Sequence, residues 1–330
     1  MPRSVAVFGA AGFTGALSAR LLFRHPRFEL RTVTSRSDVG RRLDDLYPYH
    51  RVPLTLEELD LERHAGVDAA IVAYPHGAAA ELVSELRTRG VRVVDLSADF
   101  RLRDAAVYGE WYRRHPVPEL LDEAVYGLPE RYRERIRAAD LVANPGCYPT
   151  ATLLALAPLA RAGLIGDVVV DAKSGVSGAG RAATETTHFV NVDENVSPYG
   201  VPRHRHTPEI EQELAELGAD LRVTFVPHLL PLDQGELISC YVTLGGDGVD
   251  VDALYAETYE AEPFVEVVSR PPGVRDVRET NLCRIYVHRD RRAGRVVVFS
   301  VIDNLWKGAA SQAVQNLNLM FGIPEVEGIS

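Results

Sequence analysis

"SVAVFGAAGFTGALSAR", residues 4–20, sets a short apolar run, Val5 to Phe8, ahead of Gly9, Gly12 and Gly15 and then an apolar repeat at helical spacing. The order predicts a buried strand, a tight turn and a helix. Glycines at such a turn let the chain bend sharply and leave the N–H groups of the helix start open to a pyrophosphate. Gly9, Ala11, Gly12, Phe13, Thr14 and Gly15 are therefore the expected cradle of a dinucleotide. The next strand ends in Thr34, Ser35, Arg36 and Ser37, where an acidic residue would bind the ribose hydroxyl of NAD. A guanidinium and hydroxyls suit a 2′-phosphate instead, so Ser35, Arg36 and Ser37 point to NADP and to reductive biosynthesis.

Beyond that turn the chain keeps alternating: "FELRTVTSR", "VDAAIVAYP", "AAAELVSELRTRG", "VRVVDLSADF" and "ADLVANPG" read as strands and helices in turn. This is the rhythm of an α/β doubly wound parallel sheet of Rossmann type, expected over residues 1–146. After residue 147 the strands lengthen and the helices thin out, as in "GDVVVDAKSG", "LRVTFVPHLL", "GELISCYVTLGG", "NLCRIYVH" and "RVVVFSVID". An α+β domain with a mixed sheet is expected over 147–302, for catalysis and dimerisation. The last stretch, "DNLWKGAASQAVQNLNLMFG", has helical periodicity, and 303–330 is expected to pack back on the nucleotide-binding domain.

Bulk properties narrow the function. The 330 residues carry a formal charge of -10, which argues against general affinity for nucleic acid or an anionic membrane. No apolar run reaches the roughly 18 residues of a membrane span, and the N-terminus meets glycine before a signal-peptide core forms. A cytoplasmic protein is expected. Three widely spaced cysteines, Cys147, Cys240 and Cys283, suggest neither a disulfide framework nor a structural zinc site.

One of those cysteines stands apart. In "ANPGCYPTATLLALAPLA", residues 143–160, a Pro-Gly turn delivers Cys147 to the start of an apolar helix. The positive helix end favours thiolate there, the environment of a nucleophile. Cys240 and Cys283 lie in apolar strand patterns and read as core. A thiolate needs a proton partner, and "GVPRHRHTPEIEQELAEL" offers His204 and His206 before a helix with Thr207 as cap, Pro208 in its first turn and Glu209 behind. Acid/base pair, metal pair and solvated basic loop all compete; a metal would need a third ligand, and only distant His188 or His228 offer one. His76, in "AYPHGAAA", ends a parallel strand, where α/β ligands bind. Ser97, Asp99 and Arg101 end another. Lys173, Ser174, Ser177 and Arg181, in "AKSGVSGAGR", could wrap a phosphate or carboxylate.

Taken together, "GAAGFTG", "PHG" at 75–77, "DLSADFRL" at 95–102, "YGLPE" at 126–130, "NPGCYPT", "KSGVSGAGR", "HRHTPEI", "PHLLP" and "IDNLWKGAA" follow one another in an order that resembles the N-acetyl-γ-glutamyl-phosphate reductases of arginine biosynthesis. The resemblance spans nearly the whole chain. It implies that Cys147 attacks the γ-acyl phosphate, that NADPH reduces the resulting thioester, and that His206 serves as acid/base, with His204 the nearby alternative. It places Pro75, His76, Gly77, Ser174, Gly175, Asn304, Lys307 and Gly308 near the cofactor. Ser97, Arg101, Asn144, Tyr148, Ser177, Gly178, Arg181 and Glu209 would face the acyl-phosphate substrate. No metal is implied, and a homodimer or homotetramer is. Phe13, Gln234 and Glu279 depart from the family pattern, which shows tyrosine, arginine and commonly glycine at these places. The lysine-pathway homologue acting on an aminoadipyl phosphate remains the alternative, and a non-catalytic NADP-binding sensor a remote one.

Overall fold

In the computed structural model, which describes residues 1–246 and 248–329, the opening run forms strand β1 (Arg3–Phe8). Five more strands join it: β2 (Phe28–Thr34), β3 (Ala69–Val72), β4 (Arg92–Asp95), β5 (Val125–Tyr126) and β6 (Leu141–Ala143). They pair in the order β2-β1-β3-β4-β6-β5, all parallel. The middle of β1 is buried on both faces, with Val5 and Val7 on one and Ala6 and Phe8 on the other, because helices cover both sides of a parallel sheet. Ala6 and Phe8 meet Val72, Val83, Leu86 and Val93 in one core layer. Carboxyl ends of β1, β3 and β4 all run out at one edge of the sheet, where the glycine turn lies.

Seven further strands form the second sheet: β7 (Ile165–Gly175), β8 (Ser197–Pro198), β9 (Thr224–Leu230), β10 (Glu236–Leu244), β11 (Val265–Val267), β12 (Cys283–Asp290) and β13 (Arg295–Ile302). Their order is β11-β12-β13-β10-β7-β9-β8, with β11/β12 and β7/β9 parallel and the other pairs antiparallel. The helix Cys147–Arg161 lies against this sheet, buried on nearly every side, as its unbroken apolar sequence requires. Pro158 cannot donate to the carbonyl of Leu154, four residues back. The hydroxyl of Tyr259 takes that carbonyl, and Tyr255 takes that of Ala155, so the helix Val251–Tyr259 is tied to its back.

The chain divides into two compact units, Met1–Gly146 with Ala309–Ser330, and Cys147–Gly308. The second break falls at Ala309 rather than at 303. Asp303 and Asn304 spend their side chains inside the second unit: Asp303 accepts the Glu279, Leu305 and Trp306 amides, and Asn304 holds Gly235 and Ser177. The expected terminal helix is correspondingly shorter. Trp306–Ala310 make a wide π turn, and the α-helix runs from Ser311 to Met320. That helix is buried within the first unit, where Asn316 donates to Gly127 O (2.9 Å) and Asn144 Oδ1 (3.0 Å). Polar residues on a buried helix are tolerable because such bonds satisfy them.

Candidate active site

The glycine turn is built by packing at two positions and by something else at the third. Gly9 has φ +91°, and a Cβ there would lie 2.6 Å from Ala73 O; at Gly15 it would lie 2.3 Å from Gly9 O. Both glycines are demanded by close backbone approach. A Cβ on Gly12 would meet only Gly9 O, at 3.8 Å, so no protein contact requires glycine at this helix start. Gly12 is the N-cap of the helix Phe13–Arg24, without side-chain cap or acidic first-turn residue. Its first amides, from Phe13, Thr14 and Gly15, have no intrahelical acceptor. An anion-sized cradle at the positive end of a helix fits a dinucleotide pyrophosphate.

Around that cradle the first unit gathers most of the expected cofactor residues. Gly9 and Ala10 donate to Thr34 O, bringing the end of β2 beside the turn. Tyr47 donates to Ala11 O (2.8 Å) and meets the Phe13 ring edge-on, so Phe13 is braced by an aromatic neighbour. Arg36 lies over the Tyr74 ring, 4.6 Å from its centroid. Ser35 is buried, its Oγ accepting the amides of Ser37 and Asp38, while Ser37 donates its hydroxyl to Asp38. Ser35 therefore shapes the turn and Arg36 is the residue of the three whose charge is presented. The carboxylate of Asp38, which the sequence reading passed over, is countered by Arg41 at 3.1 Å.

The loop Pro75–Gly77 is set by Asp99. This buried carboxylate accepts the amides of Gly77, Ala79 and Ala80 and the hydroxyl of Tyr108, capping the helix Ala80–Thr88. His76 accepts the Ala98 amide on Nδ1 (3.0 Å). Ser97 gives its hydroxyl to Asp95 (2.6 Å) and accepts the Asp99 amide, and Arg101 donates to Asn144 O and Leu96 O (both 2.8 Å). Burial beside Asp99 pushes the Asp95 carboxyl up to about 7. Ser97, Arg101 and Asn144 thus brace the strand ends of the first unit, with Asn144 also reaching Ala309 O (3.3 Å).

In the second unit Cys147 opens its 15-residue helix, partly exposed, with Gly308 packed so closely that a Cβ there would lie 2.8 Å from Cys147 Cβ. Tyr148, fully inside, meets His204, His206 and Phe225 edge-on, with ring centroids 5.7, 5.8 and 5.4 Å away. The two histidine rings stand 4.9 Å apart. Backbone N–H of His206 donates to His204 Nδ1 (3.1 Å), and burial next to Arg205 pushes His204 down to about 4. His204 is therefore neutral, its Nδ1 occupied as an acceptor. The helix begins at Thr207 itself, with His206 as N-cap and no side-chain cap, so Thr207 is not the cap expected. Glu209 is buried in its first turn.

Sequence reasoning missed two residues here. Tyr199 donates its hydroxyl to Tyr148 (3.0 Å), and Glu236 is fully buried against the Cys147 thiol. Alternation along "GELISCYV" could have found Glu236, since it shares the covered face with Ile238, Cys240 and Val242. Ser174 pairs with Glu236 across β7 and β10, and Gly178 sits beside Ser174 and Asn304. Asn304 bridges Gly235 N (2.7 Å) and Ser177 Oγ (3.0 Å), fastening the loop after β7 to the turn before β10. Gly175 is demanded there by the backbone of Leu232 and Asp233. Lys307 is buried with Nζ 5.8 Å from the Phe264 centroid, and Arg181 is exposed beyond Gly180. Among the described residues no three His, Cys, Asp or Glu side chains group as a metal site, and no helix is long and apolar enough to cross a membrane.

Known proteins share this fold. Residues 4–139 match the semialdehyde dehydrogenase NAD-binding domain and residues 147–304 the semialdehyde dehydrogenase dimerisation domain. Aspartate semialdehyde dehydrogenase II of Vibrio cholerae, in complex with ASA, superposes with a TM-score of 0.75 at 20% identity over 98% of this chain and 99% of that one. The Candida albicans aspartate semialdehyde dehydrogenase with NADP gives 0.73 at 14% over 97% and 99%. The fold and the site define an oxidoreductase of the semialdehyde dehydrogenase class. Within it, N-acetyl-γ-glutamyl-phosphate reductases of Alkalilimnicola ehrlichii and Desulforudis audaxviator are 50% and 51% identical, each over 98% of this chain and 97% of its own length. The chain belongs to the N-acetyl-γ-glutamyl-phosphate reductase family.

Proposed function

We propose that the protein reduces N-acetyl-L-glutamyl 5-phosphate to N-acetyl-L-glutamate 5-semialdehyde and phosphate in arginine biosynthesis, through a thioester on Cys147. The observation that carries this reading is the thiol at the head of the helix Cys147–Arg161, followed directly by Tyr148, whose ring meets His204 and His206. NADPH, bound by the Gly9–Gly15 turn with Arg36 at its 2′-phosphate, supplies the hydride. Every other step falls to the chain. The Cys147 thiolate attacks the acyl carbon and expels phosphate, dividing one hard reduction into two easier steps. Amides at the start of the helix stabilise the oxyanions of the tetrahedral intermediate and of the thiohemiacetal. His206 is the general acid/base; His204, held neutral with Nδ1 engaged, orients it through the backbone of residue 206. Ser177, Gly178, Arg181 and Glu209 are the substrate contacts of this unit. A homodimer, formed through the second unit, is the working assembly.

The reverse reaction tests the reading. Given N-acetylglutamate semialdehyde, phosphate and NADP, the protein should generate reduced nicotinamide only when phosphate is present. A phosphate-independent rate, or none, would sink it. Repeating the assay with the semialdehyde one carbon longer separates arginine from lysine biosynthesis.

A further inference from the structure

A buried carboxyl lies beside the reacting thiol, and nothing in the reaction outlined above uses it. Glu236 begins β10 with its side chain on the face covered by the helix Cys147–Arg161. It is fully buried, and neither oxygen receives an N–H or O–H donor. Its polar neighbour is the thiol of Cys147, the side-chain donor that favours its charged form. A carboxyl buried in this way strongly disfavours ionisation.

The surroundings say which group carries the local charge. The other carboxyl within reach is Asp303, and it is served by three backbone amides, those of Glu279, Leu305 and Trp306, with Arg278 near by. Glu236 has none. Three amides support the charge of Asp303, so Glu236 is the carboxyl left to accept a proton, and the proton beside it is that of the Cys147 thiol. Tyr148 and Tyr199 face the same pair, and both are pushed up by burial and by the charges of Cys147 and Glu236; they remain hydroxyls and cannot serve as bases. Arg205, which favours the ionised form of Tyr199, is the cation on the histidine side.

We propose that Glu236 is a catalytic residue: its carboxylate takes the proton of the Cys147 thiol as the nucleophile forms, and the acid returns that proton when the aldehyde departs. The S–H bond breaks as the Glu236 O–H bond forms. The freed thiolate bonds the acyl carbon while the bond to phosphate breaks. Hydride from NADPH then makes a thiohemiacetal oxyanion, whose collapse releases the aldehyde and regenerates the thiolate, which recovers its proton from Glu236. One proton shuttles within the pair, and His206 is left to serve the substrate oxygen. Burial pushes Glu236 up to about 8, out of the usual carboxylate range, so it can compete with the neighbouring thiol for a proton.

This assignment rests on the thioester chemistry proposed above, but its test does not need turnover. The rate of Cys147 alkylation by iodoacetamide is followed from pH 5 to 10 in wild type and in Glu236→Gln. Wild type should show the two-step profile of a coupled pair, and Glu236→Gln a single step. Identical profiles would overturn the proposal. In the forward assay Glu236→Gln should lose roughly 10²-fold in kcat/KM at neutral pH, with KM for NADPH unchanged; full activity would overturn it. Should the variant not fold, difference infrared spectroscopy of wild type decides. Alkylating Cys147 must alter a protonated-carboxyl band, and an unchanged spectrum contradicts the shared proton. If wild type shows no turnover, the reaction assigned above fails while the alkylation and infrared results still judge the pair.

Discussion

Two strand-to-helix turns, the proposed cofactor cradle and the proposed thiol site, are built in opposite ways. The turn from β1 into the helix Phe13–Arg24 is made of backbone: two glycines forced by close approach, one that no protein contact requires, and a row of amides. The turn from β6 through Asn144, Pro145 and Gly146 into the helix at Cys147 offers one reactive atom. Its surroundings come from remote parts of the sequence: Glu236 and the backbone of Gly308 beside Cys147, and Tyr199, His204 and His206 around the neighbouring Tyr148. A backbone site is specified by its own few residues. A side-chain site is specified by the topology of the whole unit.

That contrast predicts what substitutions will do. Cys147→Ser should cost on the order of 10⁴-fold or more in turnover, measured by the reverse assay, while NADP affinity, measured by fluorescence titration, stays at the wild-type value. Within the glycine turn the effects should divide. Gly9→Ala places a Cβ 2.6 Å from a carbonyl at φ +91°, and should lower stability in urea by roughly 2–4 kcal/mol. Gly12→Ala should leave stability within about 0.5 kcal/mol and weaken NADP binding on the order of tenfold. If both variants unfold alike, the cradle at Gly12 is misassigned. Arg36→Glu should weaken NADP more than NAD by roughly tenfold to a hundredfold, since it replaces a charge-assisted contact with repulsion. Equal losses would remove Arg36 from the 2′-phosphate.

The thiol site also predicts a pH dependence with two limbs. His204 is held near 4 when folded and sits at 6.5 when unfolded, so its contribution to stability is present above pH 6.5 and fades as pH falls toward 4. Glu236 works the other way: held near 8 against 4.5 unfolded, it contributes below pH 4.5 and loses that contribution as pH rises through 8. Between pH 4.5 and 6.5 the two slopes oppose each other, so urea midpoints should change little there and fall as pH rises from 6.5 to 8. Glu236→Gln should abolish much of the alkaline limb, worth a few kcal/mol by order of magnitude, and leave the acid limb to His204 and to His50, which burial also pushes down to about 4. The smallest effect belongs to Glu279, which adopts φ +55° where the family commonly has glycine. Glu279→Gly should be neutral or raise stability by up to about 1 kcal/mol, relief of left-handed strain offsetting the added freedom of the unfolded chain.

The same contrast explains what the sequence disclosed. The longer strands of both sheets could be read from local pattern, because β-branched runs and helical repeats are local signals, and the helix start at Cys147 from the Pro-Gly turn before it; the two- and three-residue strands β5, β8 and β11 carry too little pattern to be read. The helix ends were harder. Thr207 reads as a cap, yet His206 occupies that place, its N–H given to His204 two residues back in a local turn that residue type alone does not signal. The terminal helix starts late because Asp303 captures the amides of Leu305 and Trp306. Ser97 and Arg101 read as anion contacts, and local pattern does not show that Ser97 Oγ also holds Asp95 and that Arg101 also holds the carbonyls of Asn144 and Leu96. Alternation puts Glu236 on the covered face of β10, but only the pairing with β7 and β13 sets that face beneath the thiol helix.

The thioester can be observed directly. Mixing the protein with N-acetylglutamyl phosphate in the absence of nicotinamide should release one phosphate per active thiol. Mass spectrometry should then find an N-acetylglutamyl adduct on the peptide carrying Cys147, and Cys147→Ser should give neither. Release of phosphate without an adduct, or an adduct on Cys240 or Cys283, would contradict the account.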